Sequence, residues 1–154
     1  MTTNHPSSRA SARPARAATI VTVMALIVVG SGSLIREPDA ATGGNATRGA
    51  ELYARLPCGS CHDITKPLPG GDICPNLGNI ATEAARIVRL KSYRGKARDA
   101  AGYIRESIVD PNAYIVPGPS YRTPEGQSVM PRDVARTLSS TELDDLVAFL
   151  LTKR

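Results

Sequence analysis

Apolar and polar positions divide the chain into a leader and a domain. Residues 1–16 are polar, rich in Ser, Arg and Pro, and free of acidic side chains. Residues 17–35 then run without a charge. At 1.5 Å of rise per residue, a helix of that length just spans a hydrocarbon layer of about 30 Å. Arg9, Arg13 and Arg16 precede it, and positive charge stays on the cytoplasmic side, so everything after Arg36 is expected outside. The run is read as a transmembrane signal-anchor. The alternative is a cleaved signal peptide, cut near Gly30-Ser-Gly-Ser33, although Leu34 and Ile35 prolong the apolar run and no clean A-x-A site follows. Both readings export the domain. Residues 36–45 form a linker with Pro38, Gly43 and Gly44.

From residue 46 the period is helical. The first stretch, 46–56, has Asn45 as a cap and places Ala46, Gly49, Ala50 and Tyr53 on one face. The second, 81–90, is rich in Ala and Arg. The third, 98–109, stops ahead of Pro111, because a residue before proline leaves helical geometry. The last, 140–151, opens with the capping box Ser139-x-x-Glu142 and repeats apolar residues at Leu143, Leu146, Val147 and Leu150. No alternating strand pattern occurs, so the expected class is all-α, with one domain at 46–154.

Composition changes this picture in two ways. Five Tyr, one Phe and no Trp would build a thin core for a domain of about 110 residues, and a buried cofactor would fill it. The formal charge of +5 is misleading. From Glu37 onward there are 15 basic against 14 acidic residues. No sustained basic excess remains for a nucleic acid.

The chemistry is concentrated in Cys58-Gly-Ser-Cys61-His62. Two thiols three positions apart can each add to a vinyl group of one haem, and the next residue presents an imidazole to the iron. Pro57 ends the preceding helix where the porphyrin must fit. A zinc site would want a second Cys/His pair, but Cys74 stands alone and the other histidine, His5, is in the leader. A thioredoxin-like redox pair would sit among strands. A Cys58–Cys61 disulfide would leave His62 without a role.

The second axial ligand follows partly by elimination. His5 lies across the membrane from the haem in this reading. Met1 is the initiator and Met24 is mid-span, leaving Met130 alone among the methionines. The Cys74 thiolate, a Lys or a Tyr are the other donors. Met130 precedes Pro131 in a loop rich in Pro and Gly, not on an apolar stripe. His/Met pairing suits an electron-transfer haem and raises its potential, so Met130 is the expected ligand.

At this point the chain resembles the class I cytochromes c. The matching residues are Gly49-Ala-Glu-Leu-Tyr53, the Cys58–His62 motif, Pro75-Asn-Leu77, Tyr114-Ile-Val-Pro-Gly118, Val129-Met130-Pro131 and Leu146-Val-Ala-Phe149-Leu150. They cover about 46–152. The resemblance implies first and last helices crossing near-perpendicularly over a covalently bound haem c, with Gly49 close to the Phe149 face. It also implies that the Pro75 carbonyl accepts a hydrogen bond from the second ring nitrogen of His62, fixing and strengthening that ligand. Two departures stand out. Cys74 replaces the usual Gly before Pro75, and reads as a small buried hydrophobe, with a regulatory thiol, an intermolecular disulfide or a thiolate ligand as alternatives. Residues 86–98 are unusually basic, and read either as a solvated face with arginines on the haem propionates or as a docking patch for an acidic redox partner.

Iron held by His62 and Met130 would have no open position, which argues against catalysis by this chain alone. The resulting expectation is single-electron transfer by a tethered cytochrome on the periplasmic face of the inner membrane, linking respiratory or photosynthetic complexes through redox partner proteins. A fixed monohaem subunit of a larger oxidoreductase complex is the alternative, since Gly30, Ser31, Gly32 and Ser33 permit close helix packing. A haem-based ligand sensor is a third.

Overall fold

The computed structural model describes residues 1–2 and 43–154. All but the first two residues of the expected flank at 1–16, the span at 17–35, most of the linker, His5 and Met24 lie outside the described residues. All that follows concerns the unit that runs from Ile35 to Arg154.

Four α-helices carry the domain: α1 (Ala46–Arg55), α2 (Ile80–Ile87), α3 (Ala100–Val109) and α4 (Ser140–Leu151). Short 3₁₀ turns occupy Pro57–Ser60 and Val134–Thr137. Among the described residues no strand forms; the one pairing of that kind is an isolated bridge between Arg122 and Ser128.

Three of the four helices begin at a side-chain cap, whereas Asn79 ahead of α2 provides none. The Asn45 side chain accepts from Arg48 N at 2.9 Å, and Pro57 starts a new turn after α1. Asp99 caps α3 by accepting from Gly102 N at 2.7 Å, so that helix starts two residues later than its periodicity suggests. The Ser139–Glu142 capping box of α4 is complete in both directions. Helix α2 is displaced from 81–90: it ends at Ile87, and a turn continues to Leu90, whose N–H reaches Ile87 O at 2.9 Å.

The first and last helices meet at glycine. A methyl group on Gly49 would collide with the Asp145 carbonyl and with Phe149 Cβ, so only hydrogen lets the backbones approach. Tyr53 and Phe149 pack tilted beside this point, ring centroids 5.6 Å apart. Buried Asp145 then ties the crossing together. Its carboxylate accepts from Asn45 N at 2.6 Å and from Arg48 Nε and Nη2 at 2.7 and 2.8 Å. Next to it, Asp144 pairs with Arg105 of α3. Helix α4 is therefore buried on more than the expected stripe: every residue from Asp145 to Leu150 is inside, because α1 and α3 flank it on different sides.

The remaining chain lies in long loops on which the candidate residues sit. Tyr121 is buried and its hydroxyl lies 2.6 Å from Pro69 O and 2.9 Å from Gly71 O. Asn79 Oδ1 accepts from Leu68 N at 2.7 Å. The Tyr121 bonds hold the 67–73 loop against the segment that precedes Met130, and the Asn79 bond holds it to the start of α2.

Candidate functional site

The short turn after α1 builds the centre of the site. Cys58 O accepts from Cys61 N at 3.2 Å and from His62 N at 2.9 Å, which folds two thiols and an imidazole into one tight loop. Tyr53, two residues before the end of α1, donates its hydroxyl to His62 O at 2.7 Å. Burial, then the neighbouring Cys58 and Asp63, push the Tyr53 phenol up to about 12. It therefore remains a donor at all ordinary pH values.

His62 is fixed a second time from across the chain. Its Nδ1 lies 2.7 Å from Pro75 O. A carbonyl can only accept, so Nδ1 carries the proton and the lone pair is left on Nε2. Burial lowers the imidazole pKa, and the Pro75 bond opposes that in part. A neutral ring with a free Nε2 lone pair is the form in which histidine binds a metal.

Cys58, His62 and Pro75 form one wall of a cleft of about 960 Å³, counting its open mouth. Ile104 and Ile108 of α3 and Leu146 and Leu150 of α4 contribute apolar wall, as do Tyr103 and Tyr114. Met130 lines the same cleft. Its N–H donates to Ser128 Oγ at 3.1 Å, and Ser128 N in turn donates to Asn112 Oδ1 at 2.8 Å. Thus the loop carrying Met130 is fastened to the end of α3. A large apolar cleft that offers an imidazole nitrogen, a thioether and a thiol fits a flat, hydrophobic, metal-centred macrocycle. The residues present fit a haem.

Cys61 is the exception in position. It is exposed, outside the cleft lining, and its thiol faces Cys74. Cys74 is 5% exposed and lines the cleft. Burial first, then the hydrogen bond shared with Cys61, raises its pKa well above the ordinary thiol range. A thiol held neutral in this way suits a small apolar filler better than a thiolate ligand. Burial likewise raises the Cys58 thiol.

Sequence reasoning did not assign Tyr53 its hold on His62 O, the Tyr103 and Tyr114 portions of the wall, or the Tyr121 clasp. The spare supply of aromatics was the available signal: in a chain with five tyrosines, each has structural weight.

The family model for cytochrome c matches residues 46–153. No curated protein and no solved structure matches the chain. The matched span holds all four helices and every candidate site residue. Cys58-Gly-Ser-Cys61-His62 provides the pair of thiols that the family uses to attach haem c covalently, and haem-based electron transfer is the family's general activity. From α1 to the end of α4, this chain belongs to the cytochrome c family.

Proposed function

We propose that this chain transfers single electrons through a haem held by His62 and Met130, at the outer face of the membrane that its leader crosses. The haem supplies a one-electron couple. The remaining work falls to the protein. His62 offers Nε2 because Pro75 O occupies the proton on Nδ1. Met130 offers a soft thioether from a loop pinned by Ser128 and Asn112. Leu146, Leu150, Ile104 and Ile108 exclude water from the cleft, which favours the form of lower net charge and so a higher potential. With His62 and Met130 both holding it, the iron would keep no open position for a substrate, and the chain on its own is a carrier rather than an enzyme.

The observation that supports this reading most is that His62, with its tautomer fixed, and Met130 line one apolar cleft. Its test is Met130→Ala. The variant should lose the long-wavelength sulfur-to-iron charge-transfer band and show a lower reduction potential. An unchanged spectrum would remove Met130 from the site. Carbon monoxide binding to the reduced wild type at neutral pH would favour the ligand-sensor reading instead.

The membrane part of the proposal rests on sequence: an uncharged run at 17–35 behind Arg9, Arg13 and Arg16. Donor and acceptor are then redox proteins in or at the same membrane, within reach of a ten-residue linker. The small residues Gly30, Ser31, Gly32 and Ser33 support a second reading, a fixed subunit of a larger oxidoreductase complex. Gentle detergent extraction with sizing separates the two, since a lone monomer defeats the subunit reading. Intact mass of the purified protein reports the haem adduct and the fate of the leader together.

A further inference from the structure

Between residues 86 and 98 the chain carries Arg86, Arg89, Lys91, Arg94, Lys96 and Arg98 and not one carboxylate. All six are exposed. The rest of residues 37–154 holds nine basic against 14 acidic residues. A nearly neutral domain is therefore split, with a formal +6 on one short segment and −5 on the remainder. Among the described residues only Arg86 of these six is within ion-pair distance of a carboxylate, that of Glu83 at 2.7 Å. Arg94 and Arg98 turn onto main-chain oxygens, Lys91 O at 2.6 Å and Ala97 O at 3.5 Å. Such contacts restrain a guanidinium without cancelling its charge.

The loop that bears these charges is firmly built. Glu106 of α3 accepts from the Tyr93 hydroxyl and from Lys96 N, the latter at 2.6 Å. The Tyr93 oxygen accepts in turn from Ala97 N at 3.1 Å. A side chain at Gly95 would collide with the Glu106 carboxylate and the Tyr93 ring, so the backbone fits closely around that staple. The Tyr93 ring lies edge-on to Tyr114, centroids 5.3 Å apart, and 6.0 Å from Tyr103. Both of those rings line the cleft. The underside of the charged loop is thus the back of the haem pocket wall.

We propose that the 86–98 segment is the docking surface for an acidic redox protein, a rigid array of cations that orients the split-charge domain and seats the partner against the Tyr93–Tyr114 side of the cleft. The proposal rests on the electron-transfer reading above and names the partner's chemistry. Four of the six cations are arginines, whose planar fork matches a protein carboxylate in two-point contact. Attraction to anionic lipid relies on flexible polybasic stretches or on an amphipathic helix. This loop is neither: it is stapled, non-helical from Lys91 to Asp99 and backed by aromatic rings that lead to the cofactor.

The test is stopped-flow reduction of the oxidised holoprotein by flavodoxin hydroquinone, an acidic one-electron donor, over a range of salt concentrations. Three proteins are compared: wild type, the loop variant Lys91→Glu/Arg94→Glu/Lys96→Glu, and the control Arg55→Glu/Lys66→Glu/Arg154→Glu with the same change in net charge. At low salt the loop variant should slow the second-order rate by about tenfold or more and lose most of its salt dependence, with the control within about threefold of wild type. Equal slowing in both variants would reduce the effect to net charge and overturn the proposal, as would no slowing in either. Wild-type binding to phosphatidylserine vesicles that the loop variant loses, with unchanged flavodoxin rates, would overturn it in favour of a membrane surface. Pyridine haemochrome spectra identify the level of failure. A wild type without covalent haem, or one that dithionite does not reduce, fails the electron-transfer reading itself and takes the docking surface with it.

Discussion

His62 is held at both ends of the residue: Tyr53 grips its carbonyl oxygen and Pro75 its ring. Backbone and side chain are thereby set before any ligand bond forms, so little conformational freedom remains to be lost on binding. The two thiols beside it differ in setting, since Cys58 lines the cleft and Cys61 is exposed against Cys74. In Cys61→Ser only one thioether can form. The expected product is a singly attached haem with a shifted pyridine haemochrome band, or no stable holoprotein. A normal two-thioether spectrum would remove Cys61 from the attachment pair. At this scale the chemistry was legible because the motif is contiguous: five neighbouring residues carry it without any knowledge of the fold. Pro75 came only through resemblance, and the roles of Tyr53 and the Cys61–Cys74 contact were hidden. They depend on which residues meet across turns, and no local spacing reports that.

Helices α1 and α4 are joined by an ion pair as well as by their apolar faces. Arg48 holds the buried Asp145 carboxyl below its usual value of 3.8, with further help from Asn45 N. Arg48→Ala would leave Asp145 buried with a single donor, at a cost of about 1–3 kcal/mol. The pH dependence has a definite sign. A carboxylate whose folded pKa is depressed stabilises the fold at pH above its unfolded value, and that contribution disappears as pH falls through the lower folded value. The gap between wild type and Arg48→Ala in urea melts should therefore be full at neutral pH and close in acid below about pH 4. A gap independent of pH would mean that Arg48 contributes packing alone. Element positions were readable from period and caps, most accurately for α4, where Ser139 and Glu142 mark the start. Helix α2 was overextended because Val88, Arg89 and Leu90 continue a helix-compatible composition after Ile87, whereas the chain turns there. The burial of Asp145 ran against its charge, and only its partners 97 and 100 residues away in sequence explain it.

Across the whole domain, the expected all-α order and the placement of the loops emerged from the sequence, whereas the connections between loops did not. The Tyr121 hydroxyl bonds are the clearest case. Tyr121→Phe should cost about 1 kcal/mol in stability and make Met130 easier to displace, which titration of the oxidised protein with imidazole would measure as a higher apparent affinity. Unchanged imidazole affinity would limit Tyr121 to a local role in its own loop. The hydroxyl joins the strand of chain that runs down to Met130 with the one that runs down to Pro75. The loops that bear Met130 and Pro75 are thus suspended from a common buckle, so loosening it would slacken both supports of the site at once.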